Sequence, residues 1–547
     1  MRPAICNRKS VKSCASNSVG TALALACVVA VVSGCSAKGL DDSSFHRDTL
    51  RVALSSDIRT TEPGVLRDAN TDDVLMHIVE PLFAYRENLE VAPLLVSSWR
   101  VSEDGKTYTM SLRDGVQFHN GTTATAQIVV WNIERYLDPG TRWICRSLFD
   151  GSRGLEIEQV VALGERAFQI ELNQADGTFL HKLANLQCNM GIVHPDSVSA
   201  AGDWRVPIGT GPFQFVEWQR GQYVDLRRFD HYQPVLSPRD GLAGDRTAGF
   251  QYLRWVVVPE PAAARAGLLS GQLDVIYRLQ VSDLFDLRSS TEVVVDEGTS
   301  IDWDVLLMQA ETGRLRDRAL RLAIAHAVDA DQLAAIITDG ISSGNHALTP
   351  PQSGYFRACM AQGYIFSEEI ARRWLAQSSY NGEALKLTTN RRFSNMYENA
   401  IIIQHMLGRV GIRTELEVVE WGTQLDYYAR GQYELMSFGY TGRTHPVLNY
   451  DAILGDKSKN PMYQWDDPAS VGLLEEIART DNVAVVDDLL CELHARMIDA
   501  VPMLNLFNQH TIDAYRSHVV GYSATAFNKP RFWGVRLDRS AAPARET

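Results

Sequence analysis

The chain has 547 residues, a formal charge of −13, 45% hydrophobic residues and 22% charged residues. That length exceeds one ordinary domain and the composition can fill sizeable cores, so at least two lobes are expected. The acidic balance, with no basic stripe, argues against a nucleic-acid partner.

The first element in the chain is a targeting segment. Arg2, Arg8, Lys9 and Lys12 form a basic region without acids, and an apolar stretch runs from Val19 to Val32. This stretch is too short and too rich in small residues for a comfortable membrane span. It ends Val32-Ser33-Gly34-Cys35, which resembles a lipobox, with Cys35 as the lipidated N-terminus; an export signal with a chance cysteine is the other reading. Residues 1–34 are therefore taken as the signal peptide and 35–48 as a lipidated tether. Losing the four signal cations moves the formal charge from −13 to −17. No later apolar run is long enough to span a bilayer, which puts the mature chain outside the cytoplasm. Cys145, Cys188, Cys359 and Cys491 remain after processing. Four cysteines allow three pairings; Cys145 with Cys188 is preferred because both lie in the N-terminal half.

Residues 50–250 read as strands and hairpins with a few helices. Tyr108, Met110 and Leu112 alternate with polar residues after an Asp104-Gly105 turn, the pattern of a half-buried hairpin strand. Thr122–Tyr136 reads as a helix. Arg314–Val328 reads as another, with Leu315, Ala319, Leu322 and Ala323 on one face. Asp329 and Gln332 have capping-box spacing for the helix that follows. The pattern then alternates: strand Leu385–Thr389, helix Asn395–Val410 stopped by Gly411, strand Ile412–Val419, helix Gln424–Arg430, strand Tyr433–Phe438. Alternation of this kind builds an α/β sheet, which binds ligands at the carboxyl ends of its strands. The loop Gly439–Pro446 is thereby placed at a binding edge. The tail Leu504–Leu537 returns to strand patterning, so one lobe is expected to use both ends of the chain and to hinge against the other.

Gly340-Ile-Ser-Ser-Gly344 matches G-x-S-x-G, and a secreted hydrolase using Ser342 or Ser343 is the enzymatic alternative. A nucleophile elbow needs a strand before it and a helix after it, whereas a predicted helix precedes and Pro350-Pro351 soon follows. No phosphate loop, zinc or EF-hand motif occurs, so no catalytic residue, cofactor or metal is expected. His326 and His405 fall in predicted helices as packed or surface residues.

Several blocks in order resemble the family of extracytoplasmic solute-binding proteins that includes the periplasmic oligopeptide-, dipeptide- and nickel-binding proteins. They are Val79–Tyr85, Trp99–Gly121, Pro207–Phe213, Gly271–Ile276, Arg318–Asp329, Leu407–Ile412, Gly431–Leu435 and Gly521–Val535. The resemblance implies an α/β, two-lobed periplasmic binding protein fold of cluster B, type II, with a hinge between lobes. One lobe would be 49–295 plus 506–547 and the other 296–505. It also implies a monomeric, non-enzymatic receptor of an ABC importer outside the inner membrane, to which the lipobox adds a lipid anchor. The receptor would pass a small solute to a permease and ATPase complex. Peptide, opine or sugar conjugate, siderophore and metal chelate all stay open, a nickel- or chelate-binding receptor among them.

The family's ligand loop often carries an acid that pairs with a peptide ammonium. Here the loop reads Gly439-Tyr-Thr-Gly-Arg-Thr-His-Pro446, with Tyr440 at the aromatic position, Arg443 adding a positive charge and His445 replacing a frequent Asp. Arg443 either meets a ligand carboxylate or phosphate or pairs with a protein acid across the cleft. His445 is read as a hydrogen-bonding residue of the loop in preference to a metal ligand. Arg142 and Trp143 are further candidates, against surface charge and core tryptophan. Trp303, Phe507 and Asn508 lie near the proposed crossings.

Overall fold

A computed structural model describes residues 48–539, apart from residue 481 and the side chain of Ser394. The signal segment and Cys35 lie outside the described residues.

Ten strands form one continuous sheet. Its order is Thr414–Val418, Leu385–Thr389, Leu435–Tyr440, Val293–Met308, Met503–Arg516, Val275–Ile276, Thr49–Leu54, Tyr252–Val257, Tyr223–Arg228 and Phe213–Gln219. The strands of one end come from residues 385–440 and those of the other from residues 49–276, with the C-terminal strand Met503–Arg516 between them. Two long antiparallel strands, Val293–Met308 and Met503–Arg516, run through both halves and join them. Their register breaks between Thr299 and Trp303: Thr299 faces His510, Trp303 faces Asn508, and Ser300, Ile301 and Asp302 bulge opposite Gln509. A bulge bends its strand and re-aims its side chains.

The molecule is two-lobed and mixed α/β. In the first lobe a second, four-stranded sheet (Val96–Val101, Thr107–Leu112, Ala167–Leu172, Ile157–Ala162) packs with the Ala126–Leu137 helix around Phe118, Phe149, Phe168 and Ile170. The alternation at 107–112 is observed, with Tyr108, Met110 and Leu112 buried. Gly105 turns the hairpin at φ +71°, where a side chain would strain. In the second lobe Leu306, Leu387 and Leu435 pack under the helices Arg318–Ala327 and Ser394–Val410 on one face of the sheet. Val305, Met436, Tyr450 and Met503 pack on the other face. Cys145 bonds to Cys188 and Cys359 to Cys491.

Three expected elements differ. The helix expected from Thr122 starts at Ala126, capped by Thr125, because Thr122 and Thr123 are held in a turn and bridge to Phe118 and Gln117. The helix expected over Arg314–Val328 is split: Asp317 caps Ala319, leaving a 3₁₀ turn before it and a helix over Arg318–Ala327 after it. The expected strand Tyr433–Phe438 lies at Leu435–Tyr440, so Tyr440 belongs to the sheet and pairs with Trp303. Asp329 does cap the following helix, accepting from the Gln332 N–H at 2.9 Å.

Candidate functional site

The break between Thr299 and Trp303 opens onto two adjoining cavities, of about 570 and 360 Å³, that lie between the lobes. Arg278, Asp302, Thr441 and Asn528 line both. A site between lobes, at the carboxyl end of the Leu435–Tyr440 strand, is where an α/β architecture is expected to hold a ligand.

The first-lobe wall of the smaller cavity is basic but internally balanced. Asp73 is fully buried, ion-paired with Arg278 at 2.9 Å and Lys529 at 2.9 Å, and accepts from Tyr277 Oη at 3.0 Å. Burial would raise its carboxyl, but the two cations prevail and hold it below the usual range. Arg67 pairs with Asp72 at 2.5 Å. Arg278 also donates to the Asn528 carbonyl at 2.7 Å, which orders the Phe527–Lys529 segment beside the cavity.

The second-lobe wall is built from the Gly439–Pro446 loop. Gly442 sits so close to the bulge that a Cβ there would lie 2.0 Å from the Ile301 carbonyl oxygen. That approach lets its N–H reach Asp302 Oδ1 at 2.8 Å. Asn449 holds the loop from behind, accepting from the Arg443 N–H at 2.8 Å and donating to the Arg443 carbonyl at 3.2 Å. The half-buried Arg443 guanidinium lines the smaller cavity and donates to its neighbour's carbonyl, Thr441 O, at 2.6 Å. Among the described residues it has no ion pair. Burial lowers its pKa, with Asp302 and Asp451 opposing. The alternative reading needs a protein acid across the cleft, and among the described residues no ion pair joins Arg443 to one, Asp302 and Asp451 acting on it only from a distance.

Tyr440 lines the larger cavity, stacked on Trp303 at 4.7 Å between centroids and bonded through its hydroxyl to Tyr428 at 3.1 Å. Trp421 and Phe393 continue this aromatic wall, and Arg391 and Arg392 stand beside it without ion pairs among the described residues. Asp304, two residues beyond Asp302, is buried among neutral amides: Asn395 donates to both oxygens, Asn399 to one at 2.8 Å and Gln509 to one at 2.6 Å. Burial outweighs these bonds and raises its pKa to about 6.

The remaining candidates fall in different places. His445 is buried, caps the Pro446–Asp451 helix by accepting from the Val447 N–H, and packs against His181 of the first lobe and Tyr355 of the second at 4.5 and 4.6 Å. Burial pushes its pKa down to about 4. The Phe507 side chain reaches the larger cavity. Trp303 backs Tyr440, and Asn508 accepts from Asn345 Nδ2 at 2.9 Å. Trp143 is 3% exposed in the first-lobe core, packed on Tyr136 and Phe149 and donating to the Cys188 carbonyl. Arg142 is exposed at φ +56°. Ser342 follows the Ala330–Ile337 helix with no strand before it, is 7% exposed, and precedes a bridge from Gly344 to Phe507, so the motif is not an elbow. Asp302, Arg278, Asn528 and Arg391 escape sequence reasoning. Apart from the Phe527–Lys529 block, which reads as structural, no local pattern marks them.

A two-lobed fold with a lined interlobe cleft defines a binding protein of the periplasmic type. The profile of bacterial extracellular solute-binding proteins, family 5, matches residues 90–461, and the chain belongs to that family. By that membership it is an extracellular solute-binding protein. Heme-binding protein A of Haemophilus influenzae is 23% identical over 92% of this chain and 94% of its own length. The dipeptide-binding protein of Escherichia coli is 22% identical over 82% and 86% respectively. Among solved structures, HbpA2 from Haemophilus parasuis superposes with a TM-score of 0.76 at 21% identity, covering 89% of this chain and 99% of the other. These relatives are binding proteins, and among the described residues no helix is long and apolar enough to cross a membrane.

Proposed function

We propose that the chain captures a small anionic solute between its lobes, transforms nothing, and hands the solute to an ABC permease. The observation that carries this reading is Arg443: a half-buried guanidinium in a cavity wall, with a fork of donors and no carboxylate partner among the described residues. Leaving a charge so placed unpaired is costly, and a bound carboxylate or phosphate relieves the cost. Tyr440 and Phe507 pack beside the solute, with Trp303 behind Tyr440. The lobes are 49–295 with 506–547 and 296–505, turning about the paired long strands. Heme, dipeptides and glutathione, in the names of relatives, all carry carboxylates, which supports an anion. Cys35 carries the lipid that tethers the protein outside the inner membrane.

The test is calorimetric titration of wild type, Arg443→Ala and Arg443→Lys with the solute released from the natively purified protein. A charge-assisted contact is worth about 1.5–3 kcal/mol, so alanine should weaken binding by about one to two decades. Lysine should recover part of that loss, because it keeps the charge and loses the fork. Equal affinity across the three sinks the reading. Turnover of an ester or peptide substrate, lost in Ser342→Ala, would replace it with a hydrolase.

A further inference from the structure

Away from the long strands that join them, the lobes meet a second time. Two backbone hydrogen bonds cross there: the Gly177 N–H donates to the Ala478 carbonyl at 2.6 Å, and the Gly354 N–H to the Asn88 carbonyl at 2.7 Å. Between these crossings two histidines of opposite lobes touch. His181, on the short helix Phe179–Leu183, lies 4.5 Å from His445 between ring centroids. Tyr355, next to Gly354, packs on both rings, and its hydroxyl bonds to His181 Nε2 at 3.0 Å. Both histidines are buried.

The contact suits two neutral rings. His445 Nδ1 accepts from the Val447 N–H, so a proton there would set donor against donor and undo the helix cap. His181 Nδ1 is buried without a hydrogen-bond partner, so a second N–H on that ring would have no acceptor. No acid stands ready to compensate. Asp176 acts on His445, but it is ion-paired with Lys182 and accepts from the Thr178 N–H and hydroxyl. Arg443 and Asp451, on the loop and helix that carry His445, act on each other, and Arg153 and Lys182 act on Asp451 from the first lobe. Glu90 and Arg357 act on Tyr355. Burial raises the Tyr85 and Tyr355 hydroxyls, so both stay protonated. Among the described residues none of these groups forms an ion pair with either ring.

Resting on lobes that turn about the paired strands, and not on the charge of the solute, we infer that the His181–His445 contact makes closure proton-sensitive: touching lobes exclude protons from both rings, parted lobes admit them, and acid therefore opens the cleft and releases the solute. Burial holds His181 well below the usual range and His445 at about 4. A ring that moves from about 4 to about 6.5 on opening shifts the balance towards the open form by about thirtyfold between pH 7.5 and pH 5.

Hydrogen exchange on the full mature protein, purified natively, tests this through the peptides that hold Gly177 and Gly354, whose amides are bonded across the lobes. Rates are corrected for their intrinsic pH dependence. In wild type both peptides should be protected at pH 7.5 and lose at least tenfold of that protection by pH 5, while the core strands Thr107–Leu112 and Leu385–Thr389 keep theirs. His181→Gln and His445→Asn, which stay neutral, should each lose at least threefold less than wild type over the same interval. The wild-type arm needs no variant, and either variant suffices, so poor folding of one does not shelter the inference. It is overturned if wild type shows no protection at pH 7.5, if that protection persists at pH 5, or if the core strands lose theirs in step. Acid loss as large in both variants as in wild type overturns it as well.

Discussion

The two walls of the cleft hold charge in different ways. The first-lobe wall balances charge with charge: Asp73 against Arg278 and Lys529, Asp72 against Arg67. The second-lobe wall surrounds its ionisable groups with neutral ones: amides around Asp304, aromatic rings around His445, a lone carbonyl on Arg443. A wall of ion pairs keeps its shape over a wide pH range. A wall of neutral dipoles titrates, and it leaves its unpaired charge for something that arrives from outside.

The largest effect should come from breaking the balanced wall. Asp73→Asn leaves two half-buried cations without their buried acid and should destabilise by about 2–4 kcal/mol, read from urea unfolding. A loss below about 1 kcal/mol would mean that solvent, and not Asp73, balances Arg278 and Lys529.

The titrating wall should respond to acid through His445. Its folded pKa of about 4 lies below the usual 6.5. The unfolded chain therefore binds the proton first, and stability present above pH 6.5 is lost as pH falls towards 4, by up to about 3 kcal/mol. His445→Asn keeps a helix-capping acceptor and should flatten the unfolding free energy over that window relative to wild type. Parallel curves would remove His445 from the account.

Asp304 should respond in the opposite sense and somewhat less. Its folded pKa of about 6 lies above the usual 3.8, so the folded state holds the proton more tightly. Its contribution is greatest below pH 4 and is lost as pH rises through 6, by about 2–3 kcal/mol. The stability of wild type relative to Asp304→Asn should fall across that interval; a rising difference would mean that the amide cage outweighs burial.

The smallest effect sharpens the contrast. Arg443 has no ion pair to lose among the described residues, so Arg443→Ala should leave the unfolding free energy unchanged or raise it by no more than about 1 kcal/mol while weakening ligand binding. A loss comparable to that of Asp73→Asn would make Arg443 a structural residue.

The alternating elements of the second lobe were legible in the chain alone, because hydrophobic periodicity and the Gly411 stop are local: Leu385–Thr389 has its read boundaries, and the Val410 helix end is capped by Gly411 at φ +96°. The family was legible through ordered blocks, and Tyr440 and Arg443 came forward because a loop after an α/β strand is a binding edge by general rule. Asp317 capped a helix inside a continuous apolar pattern, and that local competition hid the split at Arg314–Val328. Folding in three dimensions alone settled which charges are engaged and which are free. Asp302 and Asp304 sit two residues apart in one strand and look alike in sequence. A bulge set by pairing with a strand about 200 residues away aims one at the cavity junction, while the other meets Asn395, Asn399 and Gln509. Arg278 and Arg443 also look alike in sequence, and only distant partners, Asp73 for one and no acid among the described residues for the other, set them apart. Periodicity is carried by neighbours along the chain, whereas the state of a charge depends on every group within a few ångströms, whatever its position in sequence.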